Sequence, residues 1–392
     1  MSLFESSSIG SLTLKNKLIR AGCFEGMCQK GGVTPQLIEH HENLAKGGVA
    51  MTTVAYCSIS ADGRVFDHEM WIREEILPDL KTLTSKVQKA GSKASIQLGH
   101  SGFFTSKGVI GKQPMGASPK YCLFTKSKCR AMTIADINEK VDLFVQAALM
   151  AIEAGFDAIE IHAGHGYLLS QFLSPWTNKR TDNYGGSLKN RMRFTIEVVE
   201  ALRKNIPKDF PILVKMNQVD GMENGINVED AIQFAQALEK AGANAIIPST
   251  GFTSKVPFLM LRGNLPIKEM ASNQSQWIDR LGLKLFGKFM VPKHDFTPLF
   301  LFEGAKKIAS AIKIPVIYIG GGTSKTEFIE ILSSGISYIQ IGRATIQDPN
   351  FVNKIESGAL EKSPCDHCNR CVAEMDAGGV KCVSNISGFL RD

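Results

Sequence analysis

No stretch of this chain approaches the roughly 20 consecutive apolar residues that a membrane-spanning helix needs, so no membrane partner is expected. The first residues, MSLFESSSIG, lack a basic segment followed by an apolar run. No secretory leader is expected there, and the expected location is cytoplasmic. Blocks of like charge are missing as well. Lysines and arginines are scattered, and a formal net charge of +7 is modest for 392 residues. No nucleic-acid partner is expected on that ground, although a basic anion-binding cleft is compatible with it. Repeats of the solenoid type are absent. So is a Gly-x-Gly-x-x-Gly fingerprint after the first strand, which argues against an open, doubly wound sheet.

What is present is 44% apolar residues, enough to bury a large core. From about residue 45 onward, short β-rich runs alternate with helical stretches. GGVAMTTVAYCSI, SKASIQLGH, FDAIEIHA, PILVKMN, ANAIIPSTG, PVIYIGGG and SYIQIGRA read as strands. The intervening segments read as helices, several closing on Ala-Gly or Ser-Gly. Strands this apolar, separated by helices, indicate parallel pairing with helical crossovers. With LKNKLIRAG as the first strand, about eight βα units are counted. The fold class read from this is α/β, a (β/α)8 TIM barrel. Two stretches break the rhythm: residues 103–133 after the third strand and 252–300 after the sixth. Both leave the face where barrels carry their sites, so they are expected to be lids or pocket walls.

Polar residues fall where strands end: Gln97 and His100, then His162, His165 and Tyr167, then Lys215 and Asn217, then Ser249 and Thr250. Late in the chain glycines take over, in IGGG (Ile319 to Gly322) and IGR (Ile341 to Arg343). Bare backbone N–H groups at the last two strands commonly hold a phosphate, and Arg343 would add a bidentate guanidinium. The late strands therefore suggest a phosphate-bearing cofactor. Two histidines at this spacing could also hold zinc, but no third ligand is evident nearby. Nine cysteines divide into five scattered thiols and a C-terminal group, C-x2-C-x2-C-x10-C, made of Cys365, Cys368, Cys371 and Cys382.

HAGHGYLLSQFLSPWTNKRTDNYGGSLKNRMRF resembles the signature of the old yellow enzyme family of FMN-dependent oxidoreductases. LKNKLIRA, QLGHSG and IQIGRATIQDPNF match the same family in the same order, so the likeness covers essentially the whole chain. The resemblance implies FMN, with NADH or NADPH as reductant and an activated alkene as the small-molecule partner. His162 and His165 would bond the substrate carbonyl, and Tyr167 would protonate the alkene α-carbon after hydride arrives from flavin N5. Gln97 would meet the ring edge, and Lys215, where the family usually has arginine, would face N1 and O2. Ala21, in LKNKLIRA, is placed at the cofactor. Gly320, Gly321, Gly342 and Arg343 match the phosphate grip. Independently, negative charge developing on an enone oxygen suits preorganised imidazole donors, and a phenol suits protonation of carbon. In RAGCFEGM, Phe24 stands where the family often has a small Thr, Ser or Cys that contacts flavin O4. That departure keeps open a flavin-binding module without turnover.

The cysteine group resembles the cluster-binding stretch of the larger relatives, the 2,4-dienoyl-CoA reductases and trimethylamine dehydrogenase. It leaves three occupants open: [4Fe–4S], zinc (with His367 as a substitute ligand) or free thiols. Residues 1–360 are expected to form the FMN-binding barrel and 361–392 a cysteine-rich extension packed on it. An alternative function is an iron–sulfur flavoprotein passing electrons to a partner. Substrate, NADH against NADPH, and oligomeric state (homo-oligomer included) stay open.

Overall fold

The computed structural model describes residues 2–274 and 277–385, so the end of the cysteine-rich extension, 386–392, lies outside the described residues. Eight parallel strands make the central sheet: β1 (Leu18–Arg20), β2 (Met51–Ser58), β3 (Lys93–Gly99), β4 (Ala158–Ala163), β5 (Ile212–Val219), β6 (Ala245–Thr250), β7 (Ile317–Tyr318) and β8 (Tyr338–Ile341). They hydrogen-bond in the order β6-β5-β4-β3-β2-β1-β8-β7. A parallel bridge between Ile246 and Val316 joins the two edges, so the sheet closes on itself. The expected (β/α)8 barrel is the observed fold.

Helices run between consecutive strands: α1 (Pro35–Lys46), α2 (Leu77–Lys89), α3 (Ile134–Glu153), α4 (Leu188–Asn205), α5 (Val228–Ala241), α6 (Phe302–Ala311) and α7 (Lys325–Ser333). Their starts are chemically marked. Thr133 and Asp136 form a reciprocal capping box on α3, and Ser324 with Glu327 does the same on α7. α3 closes on the Ala-Gly read from the sequence: Ala154 is its C-cap, and Gly155 follows with φ +83°. Arg191 and Arg193 anchor α4 through the carbonyls of Leu173 and Asn183, both at 2.8 Å.

Strand alternation decides which side chains enter the barrel. Leu18, Ile159, Ile161, Val214 and Met216 face the helices and join the large outer core. Ile19, Ala158, Leu213, Ala245 and Ile247 face inward and form a separate apolar plug with Ile9, Leu12 and Leu14 of an N-terminal hairpin. That hairpin seals the N-terminal end of the barrel. Above the plug the inward residues turn polar, first Gln97, Glu160, Lys215 and Gln340, then His162, Asn217 and Ser249.

Both insertions are folded. Residues 103–133 contain a short helix, Lys107–Ile110, and three small strands, Met115–Gly116, Lys120–Cys122 and Ser127–Ala131. The later insertion carries helices Ile267–Ser272 and Trp277–Met290. Lys126 and Asp279 form an ion pair between the two.

Candidate active site

β3, β4 and β5 are in register so that Gln97 pairs with Glu160, Leu213 with Glu160, and Lys215 with His162. Glu160 is fully buried two residues before His162, hence on the same inward face. Its carboxylate accepts from Gln97 Nε2 at 2.5 Å and Gln340 Nε2 at 2.8 Å. Lys215 Nζ lies 2.8 Å from the same carboxylate. Glu160 and Gln340 were not among the residues the sequence singled out. The signal for Glu160 was available: an acid two residues from a site histidine on a buried strand has to share its face.

His162, His165 and Tyr167 come together where β4 ends. The His162 ring is 5.0 Å from His165 and 4.6 Å from Tyr167, centroid to centroid. Tyr56, from β2, stacks on Tyr167 at 5.1 Å and so backs the phenol. His165 takes a left-handed backbone (φ +57°), and Gly166 follows at φ +79°. This bend turns the chain sharply enough to aim three rings from six residues into one space. A Cβ at Gly166 would lie 2.3 Å from Phe252, so glycine is required there on two counts. The bend is held by Asn217, whose Oδ1 accepts from His165 N at 2.9 Å, and by Ser249 Oγ, 2.7 Å from His165 Nε2.

Burial, followed by the charge of Lys215, pushes His165 down to about 3. Burial, then His165 and Lys215, holds His162 well below the ordinary histidine value. Tyr167 is pushed up from the usual phenol value by burial and the charge of Glu69. The site therefore holds neutral imidazoles and a protonated phenol at neutral pH. Two consequences follow. Neither imidazole should change charge between about pH 5 and 8, so kcat/KM is expected to be flat there; a single ionisation near 6.5 that vanishes in His165→Asn would contradict this. Also, the unfolded imidazole (pKa about 6.5) binds a proton that folded His165 refuses down to about 3. Its contribution to stability is thus complete above about 6.5 and is lost as pH falls through that window, which urea titrations at pH 4 and 7 would read.

Other expected residues are placed differently. His100 is buried at the end of β3, but its Nε2 lies 3.5 Å from Asp62, which also pairs with buried Lys140 at 3.0 Å. His100 thus joins an ionic network beneath the loop after β2. Ala21 is buried and donates its N–H to Ile341 O at 2.9 Å, tying β1 to β8. Gly320 and Gly321 have φ +135° and +88°, backbone that a side chain would strain, and a Cβ at either would sit 2.8 Å from Leu301 or Phe300. A Cβ at Gly342 would lie 3.2 Å from Cys23 Sγ. The Arg343 guanidinium donates to Leu261 O, Arg262 O and Asn369 Oδ1 at 2.5–2.9 Å, which links β8 to the late insertion and the cysteine-rich segment. Phe24 is half-buried and stacks on Phe66 at 5.5 Å, an apolar contact in place of a donor.

All four cysteines of the C-terminal group line one cavity with Arg343 and Asn369. Burial raises the Cys371 thiol to about 12 against the opposing charge of Arg343. His367 is not among the lining residues; its ring stacks on Phe296 at 3.4 Å. The segment packs against the loop after β1, where Val380 N donates to Glu25 O at 2.7 Å and Gly26 leaves room for the Met375 carbonyl.

A closed parallel barrel with histidines, a tyrosine and a lysine at its C-terminal mouth places the chain in a class, the barrel oxidoreductases of the old yellow enzyme type. The family model described as NADH:flavin oxidoreductase / NADH oxidase matches residues 2–254, and the chain belongs to that family. Among curated relatives, 4,4'-dithiodibutanoate disulfide reductase of Rhodococcus erythropolis is 34% identical over 392 residues, covering 100% of this chain and 97% of that one. An NADH oxidase of Thermoanaerobacter brockii is 30% identical over 94% of this chain, which spans only 52% of that protein. The NADPH dehydrogenase of Bacillus subtilis is 35% identical over 64% of this chain and 73% of its own length. Among solved structures, a 2-naphthoyl-CoA reductase complex superposes with a TM-score of 0.83 at 24% identity, over 96% of this chain and 56% of that one. Morphinone reductase in complex with tetrahydroNAD gives 0.73 at 20%, over 93% of each chain. These structures share the fold. The protein is an FMN-dependent NAD(P)H oxidoreductase. Among the described residues no helix is long and apolar enough to cross a membrane.

The residues present fit the flavin at its ring end. His162 Nδ1 is buried with no hydrogen-bond partner, and Lys215 Nζ has none beyond its ion pair with Glu160. Orphaned donors and acceptors at this depth call for a polar ligand.

Proposed function

We propose that this site reduces the activated alkene of an α,β-unsaturated carbonyl compound. When bound, FMN supplies the hydride chemistry, accepting from NADH or NADPH and giving from N5 to the alkene β-carbon. Gln97 and Lys215 would hold the ring edge, the lysine placing positive charge where reduced flavin is anionic. Gly320, Gly321, Gly342 and Arg343 would lie at the phosphate, with Ala21 beside the cofactor. The substrate carbonyl oxygen accepts from His162 and His165, which stabilise the charge that develops there. Tyr167 gives its proton to the α-carbon and is reprotonated from solvent. The observation that carries this reading is the gathering of two imidazoles held neutral and one phenol held protonated, with the His165 and Tyr167 rings 5.0 and 4.6 Å from that of His162 by centroid. Anaerobic titration with NADPH or NADH should bleach flavin bands near about 370 and 450 nm, and an enal should restore them with saturated aldehyde as product. A colourless protein that cannot be reconstituted with FMN would sink the reading.

A second acceptor is favoured by the relative that matches end to end and is named a disulfide reductase. In that reading a disulfide takes the two electrons and two protons, giving two thiols. Offering an enal and a dialkyl disulfide to the reduced enzyme under identical conditions separates the two.

We further infer that Cys365, Cys368, Cys371 and Cys382, in the segment 361–392, hold a [4Fe–4S] cluster. The four thiols share one cavity, three of them from the tight loop Cys365 to Cys371 and the fourth from Cys382, the C-x2-C-x2-C plus distant Cys arrangement that suits a cluster. Zinc requires ligand sulfurs about 2.3 Å from one point. A four-iron cube is larger and spreads its thiolates. Such a cluster would allow the alternative in which electrons pass to a separate partner. Anaerobically purified protein should contain about four iron and four sulfide per chain, with a broad shoulder near 400 nm, and Cys368→Ser should lose them. Stoichiometric zinc instead would overturn the assignment.

A further inference from the structure

Three loops on the catalytic face of the barrel bring lysines to one place. Lys120 lies on the small strand Lys120–Cys122 of the insertion after β3. Lys179 follows the helix Leu168–Leu173 that leaves β4, and Lys255 follows β6. Each backbone is fixed: Lys120 N donates to Cys129 Sγ at 3.2 Å, Lys179 N to Ser118 Oγ at 2.8 Å, and Lys255 N to Phe252 O at 2.9 Å.

The ammonium groups lack counter-charges. Among the described residues none of the three comes within 4.0 Å of a carboxylate, and Lys179 Nζ donates only to Pro175 O. Lys120 Nζ sits 3.5 Å from the centre of the Trp176 ring. Its pKa is lowered by burial first, then by the charge of Lys179, with Lys255 adding to the effect. Geometry ties the three together: Lys179 N is held by Ser118, two residues before Lys120, and Lys255 N by Phe252, which packs on the Trp176 ring beneath Lys120. Cations gathered without a carboxylate form a site for an anion.

An aromatic wall leads from this group to the reacting residues. Trp176 meets Phe252 at 5.2 Å, and Phe252 fills the space over Gly166. Tyr167 and Trp176 both pack on the apolar cluster of Phe103, Phe104 and Phe252. The wall offers contact to a flat or apolar body, and at its far end the Lys120 ammonium lies over Trp176.

Building on the ene-reductase reading, we propose that Lys120, Lys179 and Lys255 bind an anionic group, carboxylate or phosphate, carried by the substrate on an apolar spacer along Trp176 and Phe252. The preferred substrate class is then an activated alkene with a remote negative charge, not a neutral enone.

The test compares cinnamaldehyde with its 4-carboxy and 4-phosphooxy derivatives, using FMN-loaded full-length enzyme. Within each enzyme form the readout is the ratio of kcat/KM, anionic over neutral. The parent should prefer an anionic substrate about tenfold, and about 0.5 M NaCl should erase most of that preference. Lys120→Ala/Lys179→Ala/Lys255→Ala should bring the ratio near one, chiefly through KM. Because Lys179 and Lys255 are exposed, Lys179→Glu and Lys255→Glu serve as single replacements that leave the Lys120–Trp176 contact in place; each should lower the ratio below that of the parent. Whichever derivative keeps the larger preference distinguishes carboxylate from phosphate. A parent ratio near one, or a ratio unmoved by salt and by both reversals, overturns the proposal. If cinnamaldehyde itself is not reduced, the ene-reductase reading fails instead, a separate result.

Discussion

Tyr167→Phe is expected to slow reoxidation of the reduced enzyme by an enal about 10²–10⁴-fold while leaving reduction by NAD(P)H within a few-fold of the parent. The range is what a positioned general acid contributes. Phenylalanine keeps the ring that stacks on Tyr56 at 5.1 Å and contacts His162 at 4.6 Å, so packing is conserved and only the proton is removed. The imidazoles do not replace it, since burial and Lys215 keep His162 and His165 from carrying an extra proton at neutral pH. Hydride transfer from the nicotinamide needs no such proton, which splits the two half-reactions. Anaerobic stopped-flow absorbance measures each alone. Equal losses in both would mean that Tyr167 only shapes the pocket, and no loss in either would remove it from the mechanism.

Lys215→Met should destabilise the fold by about 3–5 kcal/mol, the cost of leaving one member of a buried ion pair unpaired. Glu160 is wholly buried, and of its three neighbours only Lys215 brings a positive charge; Gln97 and Gln340 are neutral donors. Methionine fills a similar volume, so the loss is electrostatic and not a cavity. The double variant Glu160→Gln/Lys215→Met should recover most of the stability, because a glutamine can accept from Gln97 and, once the Gln340 amide turns over, donate to Gln340 Oε1, with no charge to solvate. Chemical denaturation of the four forms without added FMN provides the cycle. FMN affinity is expected to fall in both Lys215 variants, since the cation near the ring edge is gone in each. Additive losses would show that the pair is not coupled, and unchanged FMN affinity would remove Lys215 from the cofactor site.

Much of the architecture was legible because buried parallel strands are nearly all apolar and their helices end on small residues, as in EAGFDAIEI and KAGANAIIP. The site triad was legible for a different reason: HAGHGY compresses three ring side chains and the small residues that let them turn into one local stretch. Neighbours brought together from distant strands were harder to see. Glu160 and Gln340 are 180 residues apart and meet only because β4 and β8 both face the barrel axis. His100 has the right strand position but the wrong partner, since Asp62 and Lys140 draw its ring away. The insertion at 103–133 registered only as a break in the rhythm because its strands are two to five residues long, too short for alternation to show.

The sequence by itself determined the barrel, the polar ends of its middle strands, the glycines of its last two and the C-terminal cysteine group, because each is written in local periodicity or spacing. Only the tertiary structure decided which polar and charged groups meet: Lys215 with Glu160, Arg343 with carbonyls of the late insertion and with Asn369 of the cysteine-rich segment, and Lys120 with the loops that carry Lys179 and Lys255. The reason is physical. Local pattern fixes the face on which a side chain emerges, but an electrostatic partner is fixed by distance in space, and closing a barrel brings together residues the chain holds far apart.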